Sequence, residues 1–94
     1  MPTYIILGRL TLQAKRDPAT SRKTRDQLWA EFQSKGLKFT PYTTLGPYDV
    51  ITIVEAPSEE LMMRYLMAAG VSGNIETTTL RAYSAAEADK FRSG

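Results

Sequence analysis

The chain has 94 residues, of which 43% are hydrophobic and 23% charged, and its formal net charge is +2. A chain of this length forms a single domain, residues 1–94, with a core small enough that self-association would stabilise it. These fractions exclude disordered, collagen-like and membrane-spanning classes, and so small a net charge indicates neither a nucleic-acid nor a membrane partner.

Cysteine and histidine are both absent. Their absence removes disulfides, thiolate metal sites, cysteine nucleophiles and the commonest general base and metal ligand. The acidic residues are explained by helix starts and surface positions, so we expect no metal and no cofactor. The lack of cysteine and of an N-terminal export signal favours a cytoplasmic protein.

The first predicted strand covers Thr3–Leu12, which is β-branched and aliphatic on both faces. Gly8, in its middle, is interpreted as a packing glycine, with a bulge or a close ligand approach as the alternative. A polar stretch follows, and Asp17-Pro18 predicts a helix start. That helix is expected to run to about Lys35, before Gly36.

Trp29 is the only tryptophan in the chain. It lies beside Leu28 and Phe32 at helical spacing, so core or interface packing is favoured over stacking on a ligand.

The second predicted strand covers Lys38–Leu45, and Pro41 inside it lacks a backbone donor, which places the strand at a sheet edge. A tight turn at Gly46-Pro47 leads to the third strand, Tyr48–Glu55. That strand is apolar on both faces, as a central strand must be.

The second helix is expected to open at Pro57-Ser58 and to end at Gly70. Its predicted apolar stripe contains Leu61, Met62, Tyr65, Leu66 and Ala69. Met63 and Met67 widen the stripe, and we interpret them as core filler, with a subunit contact as the alternative.

The last predicted strand covers Asn74–Tyr83, whose threonine run suits an edge. Ser84 and Glu87 form a capping box for a short helix ending near Phe91. The order β-α-β-β-α-β predicts an α+β, ferredoxin-like fold, with a four-stranded antiparallel sheet and two helices on one face. Strands one and three then lie in the centre.

The two helices are expected to cover the sheet face that carries Ile5, Leu7, Ile51, Ile53 and Leu80. The opposite face would then carry Tyr4, Ile6, Gly8, Leu10, Val50, Thr52, Val54, Thr77, Thr79, Arg81 and Tyr83. This set is too apolar to leave in water. A second copy of the sheet is the most economical cover, since it closes with two-fold symmetry. A trimer built through other edges is the alternative assembly.

Several segments together resemble the GYD domain family. They are Tyr4–Arg9, Leu45–Asp49, Val54–Pro57, Gly73-Asn74 and Thr79–Tyr83, and the signature residues would be Gly46, Tyr48 and Asp49. The resemblance covers almost the whole chain and implies a ferredoxin-like subunit of the dimeric α/β barrel kind. It implies no reaction, because the family is essentially uncharacterised.

Tyr48 and Asp49 are the candidate catalytic residues, because a carboxylate beside a phenol at a strand entrance can transfer protons or orient a ligand. The alternative is turn chemistry, in which Asp49 accepts backbone amides. Arg81 on an apolar face needs a carboxylate partner, which Asp49 of the same or a second chain could supply, or an anionic ligand.

The basic residues Lys15, Arg16, Arg22, Lys23 and Arg25 lack a nucleic-acid-binding signature and are interpreted as a solvated helix start.

The leading functional hypothesis is a soluble homo-oligomeric ligand-binding or accessory domain, with a cavity between two facing sheets for a small anionic ligand. The predicted ligand-binding residues are Tyr4, Thr52, Thr79, Arg81 and Tyr83. The alternative is a cofactor-independent monooxygenase or isomerase acting on a small anionic or phenolic metabolite, with Asp49 as base and Tyr48 or Arg81 stabilising negative charge. A third hypothesis is a purely structural subunit.

Overall fold

The computed structural model describes residues 1–93, and of Ser93 only the backbone. Its elements in chain order are β1 (Thr3–Leu10), α1 (Leu12–Arg16), α2 (Pro18–Ser34), β2 (Lys38–Thr43), β3 (Val50–Glu55), α3 (Glu59–Ser72), β4 (Ile75–Ala82) and α4 (Ala85–Ser93). The strand order in the sheet is β2-β3-β1-β4, and every neighbouring pair is antiparallel. The fold is therefore ferredoxin-like, and the predicted central and edge strands are confirmed.

The predicted start and end of α2 and the predicted start of α4 follow from their capping residues, whereas α3 continues past its predicted end at Gly70 to Ser72 and is capped by Gly73, which has φ +73°. The carboxylate of Asp17 accepts from the backbone N–H of Thr20 at 3.2 Å, and Pro18 takes the first helical position. Gly36 after α2 has φ +111°, a left-handed value that favours glycine. At α4, Ser84 and Glu87 exchange backbone-to-side-chain hydrogen bonds of 3.0 and 3.1 Å, so the capping box is confirmed.

The short helix α1 begins at Leu12, which the sequence assigns to the first strand, and continues into the stretch that the sequence shows to be polar, so the first strand ends at Leu10 instead. The Thr11 hydroxyl caps it by accepting from the Ala14 N–H at 3.3 Å, and the same hydroxyl donates to the Gly73 carbonyl at 2.7 Å. Ala14 is buried. The helix thus holds the end of β1 against the loop that precedes β4.

The helices cover the sheet face opposite to the predicted one. The buried cluster contains Tyr4, Ile6, Val54 and Ala56 from the sheet side, together with Phe32, Leu37, Met62, Tyr65 and Ala69. Ile5, Leu7, Ile51 and Ile53 lie on the uncovered face and are half-buried, and Leu80 beside them is 46% exposed. The predicted assignment of the two faces is wrong, because both alternating sets are apolar and their pattern cannot distinguish them.

Gly8 lies on the covered face, where a Cβ atom would stand 2.6 Å from Ile75 Cδ1 and 2.8 Å from Val50 Cγ2. Its interpretation as a packing glycine is confirmed. Met62 in α3 is buried as predicted.

Met63 and Met67 are 45% and 65% exposed, so their interpretation as core filler is wrong.

No helix within residues 1–93 combines the length and the apolar character needed to cross a membrane.

Candidate functional site

A cleft of about 320 Å³ separates the helical layer from the sheet. It lies where β1 ends and β3 and β4 begin, below the start of α2 and the end of α3. Its walls include Leu28 and Trp29 from α2, Leu66 from α3, and Val50 and Ile75 from the sheet. These side chains are apolar, so the interior of the cleft favours an apolar group.

Trp29 and Tyr65 form the inner wall of the cleft. The Trp29 Nε1–H donates to the Tyr65 hydroxyl at 3.0 Å, and the Trp29 ring stacks on Phe39 with centroids 5.6 Å apart. The expected packing role of Trp29 is confirmed. Burial raises the pKa of the Tyr65 phenol, an effect that the hydrogen bond from Trp29 partly opposes. Tyr65 therefore stays a neutral hydrogen-bonding group at physiological pH.

Charged side chains stand at the rim of the cleft. Arg22 and Arg25 are exposed residues of α2 that border it, and Asp49 borders it from the sheet. Arg25 pairs with Asp26 at 3.0 Å, and its guanidinium carbon lies 4.9 Å from the Trp29 ring centroid. The rim therefore carries two guanidinium groups and one carboxylate.

Asp49 makes the backbone contacts expected of the turn role. Its carboxylate accepts from the Leu10 N–H at 2.8 Å, and its own N–H donates to the Gly8 carbonyl at 2.9 Å. These bonds continue the β1–β3 pairing past Val50. Tyr48 contacts Arg9, whose guanidinium carbon lies 4.9 Å from the phenol ring centroid. A catalytic role for Tyr48 and Asp49 stays a prediction.

Arg81 lies at the other end of the sheet from Asp49. In the strand register Arg81 lies opposite Tyr4, whereas the Asp49 carboxylate accepts from Leu10, at the other end of β1. The predicted ion pair between Arg81 and Asp49 of one chain is therefore wrong. Arg81 instead donates to the carbonyls of Thr3, at 3.0 Å, and Ala82. Its guanidinium carbon lies 5.5 Å from the Tyr4 ring centroid and 4.3 Å from that of Tyr83.

The five predicted ligand-binding residues do not form one site. Tyr4, Arg81 and Tyr83 cluster at one end of the sheet, Thr79 pairs with Ile6, and Thr52 alone borders the cleft. Tyr4 and Thr52 belong to the face that the helices cover. The predicted position of the set between two facing sheets is therefore wrong, and its role in ligand binding stays a prediction.

The cleft is not predicted from the sequence because the residues that line it come from distant segments. Arg22, Arg25 and Trp29 lie on α2, and Tyr65 lies on α3. The spacing of three and four residues that joins Arg22, Arg25 and Trp29 on one helix face was a usable signal.

The uncovered sheet face carries an apolar band two residue rows wide. One row contains Tyr42, Ile51, Leu7 and Thr78, and the next contains Thr40, Ile53, Ile5 and Leu80. Charged side chains flank the band. Lys38 and Glu55 pair at 3.6 Å beyond one row, and Arg9 lies opposite Glu76 beyond the other.

A second apolar surface lies on the outer side of α3. Met63, Met67 and Val71 are spaced four residues apart and are 45%, 65% and 89% exposed. We call these three residues the α3 stripe. It lies on the helical side of the molecule, away from the uncovered sheet face.

Substituting Asp49 by alanine is expected to lower the free energy of unfolding by about 1 kcal/mol more than substituting it by asparagine. Alanine removes the acceptor of the Leu10 N–H, whereas the asparagine side chain keeps a carbonyl oxygen there. Urea unfolding of the two variants measures the difference. Equal stability of Asp49→Ala and Asp49→Asn would contradict the structural role.

The GYD domain family matches residues 4–91 of this chain. A curated relative from Thermus thermophilus, the glutamine synthetase and cystathionine beta-lyase binding protein, is 29% identical over 91 residues. The alignment covers 93% of this chain and 94% of that protein.

Two solved structures share the fold. The crystal structure of FFRP-DM1 superimposes with a TM-score of 0.62 at 22% identity, covering 88% of this chain and all of the other. A de novo designed protein with a ferredoxin fold superimposes with a TM-score of 0.56 at 11% identity, covering 89% of this chain and 86% of the design. These identities are low enough that the two likenesses describe the fold alone.

Proposed function

The chain belongs to the GYD domain family, and we propose that it is a homodimeric accessory protein that binds a partner enzyme. The observation that carries the proposal is the presence of two separate exposed apolar surfaces, the sheet face and the α3 stripe. One surface is assigned to a second copy of the chain and the other to the partner. The Thermus relative, named for binding two enzymes, supports a protein partner.

The uncovered sheet face has the composition of a protein interface. Its apolar band is bounded on both sides by charged residues, which matches an apolar core with a polar rim. Fully burying one large aliphatic side chain contributes roughly 1.5 to 3 kcal/mol, and part of this gain is available to each of the half-buried side chains. A second sheet packed on this face would bury these side chains and supply that free energy.

A second copy is the cover that fits this face. Two-fold symmetry places the same band on both partners, so that apolar rows meet apolar rows. Lys38 and Glu55 at one end, and Arg9 and Glu76 at the other, give each end both signs of charge. Either orientation about a two-fold axis therefore brings opposite charges within reach of each other.

The α3 stripe is assigned to the partner enzyme. Methionine side chains are flexible and polarizable, which suits a surface that must fit another protein. A shallow groove between α2 and α3 borders Val71 and contains Leu28 and Ala68. The stripe and the groove together fit an apolar helix presented by the partner.

Replacing Met67 by lysine is expected to weaken partner binding at least tenfold, because it places a charge in the middle of the stripe. The measurement is surface plasmon resonance against glutamine synthetase and cystathionine beta-lyase from the organism that carries this chain. The matched control is Leu45→Lys, which introduces the same charge at an exposed apolar side chain of the β2–β3 loop.

Binding of at least one enzyme that survives Leu45→Lys and is lost in Met67→Lys supports the proposal. Failure of both enzymes to bind, or equal loss in the two variants, would contradict it.

A further inference from the structure

We propose that the cleft between the helices and the sheet binds a small amphipathic carboxylate, with its apolar body inside and its carboxylate at the rim. The volume of about 320 Å³ lies at the lower end of the range for small-molecule sites. It therefore suits one small molecule, such as a medium-chain or single-ring carboxylate.

The apolar part of the ligand is selected by the walls. Leu28, Trp29, Leu66 and Ile75 surround the interior and are only partly buried by the protein itself. An alkyl chain or an aromatic ring placed among them would remove their remaining apolar surface from water. The Trp29 ring also offers a flat surface against which an aromatic ligand can stack.

Two hydroxyl groups inside the cleft can orient a second polar atom where the apolar body of the ligand carries one. Thr52 is 6% exposed and borders the cleft, and across residues 1–93 its hydroxyl makes no hydrogen bond. The Tyr65 hydroxyl accepts from Trp29, and within the same residues its own proton has no acceptor. Both groups can therefore donate to a ligand oxygen without breaking an existing bond.

The charges at the rim select an anion. In the described part of the chain, Arg22 has no acidic side chain within salt-bridge distance. The Asp49 carboxylate already accepts the Leu10 N–H. A ligand carboxylate at this rim thus meets one unpaired guanidinium and a second from Arg25, which suits charge-assisted hydrogen bonds.

Ligand binding and dimerisation use opposite faces of the sheet. Thr52 points toward the cleft, whereas its neighbours Ile51 and Ile53 lie on the uncovered face. Ligand binding in the cleft can therefore be tested independently of the proposed dimer.

Octanoate is the probe, because it combines an alkyl chain with a carboxylate. Trp29 is the only tryptophan, so its fluorescence reports occupancy of the cleft directly. We expect a saturable change in Trp29 emission with octanoate, and at least fivefold weaker binding of octylammonium and of 1-octanol at low salt. No saturable change with octanoate at millimolar concentration would overturn the proposal, as would binding of octylammonium or 1-octanol as tight as that of octanoate.

One pair of variants locates the bound molecule. Arg22→Gln is expected to weaken octanoate binding about fivefold, whereas Lys23→Gln, the same charge change at a position outside the cleft, leaves it unchanged. Equal effects of the two variants would overturn the assignment to this cleft.

Discussion

Replacing Ile53 by lysine is expected to dissociate the proposed dimer. Ile53 lies in the centre of the apolar band, next to Ile5 on β1 and Thr40 on β2. In a two-fold interface each substitution occurs twice, and a central apolar residue contributes about 2 kcal/mol or more per copy. The dissociation constant should therefore rise about a thousandfold. Sedimentation velocity over a range of concentrations measures it.

The control for this variant is Met67→Lys, which introduces the same charge on the outer side of α3. We expect Met67→Lys to remain dimeric but to lose binding of the partner enzyme. We expect Ile53→Lys to lose the dimer but to keep binding of the partner enzyme. Circular dichroism establishes that both variants are folded. If Ile53→Lys is unfolded, Leu80→Lys tests the same face at a more exposed position. A folded Ile53→Lys variant with unchanged dimer affinity would contradict the assignment of this face.

Replacing Met62 by alanine is expected to lower the free energy of unfolding by about 2 to 5 kcal/mol. Met62 is 1% exposed and belongs to the buried cluster between the helices and the sheet, so truncation leaves a cavity there. The loss is large beside the roughly 5 to 15 kcal/mol that holds a typical domain folded. Urea unfolding at one fixed protein concentration measures it, because dimerisation makes apparent stability concentration-dependent.

The same substitution at Met67 is the control. Met67 lies on the same helix but is 65% exposed, so Met67→Ala should change stability by less than about 0.5 kcal/mol. A loss at Met67 as large as that at Met62 would show that the outer side of α3 is also buried within the folded unit.

Local signals were sufficient to predict the order of the four strands and of helices α2, α3 and α4. Asp17, Ser58 and Ser84 each accept the backbone N–H of the third residue after them, and each stands at a helix start that the sequence predicts. Pro41 lies on an edge strand, as its missing donor requires. The helix α1 was missed because its sequence is mostly polar and its stability comes from long-range contacts of Thr11 and Ala14.

The face that the helices cover could not be predicted from alternation alone. In β1, Ile5 and Leu7 alternate with Tyr4 and Ile6, so each face carries large apolar side chains. Gly8 is the residue of β1 that distinguishes the two faces. A site with no room for a Cβ atom lies where neighbouring side chains crowd the backbone, which here is the covered face.

The cleft could not be identified without knowing how the helices pack on the sheet. Trp29, Thr52 and Tyr65 come from three elements, and their proximity depends on how α2 and α3 are rotated over the sheet. Thr52 is among the residues predicted from the sequence to bind a ligand, but the four residues predicted with it do not border the cleft.

The most direct test of the proposed dimer is the solvent accessibility of the isoleucine methyl groups. The chain has five isoleucines, and Ile6, at 4% exposed, is an internal reference for a buried methyl group. With a soluble paramagnetic agent in methyl NMR, we expect Ile5, Ile51 and Ile53 to be protected as strongly as Ile6. Strong relaxation of these three methyl groups in the wild-type protein would show that water covers the sheet face, and would contradict the dimer.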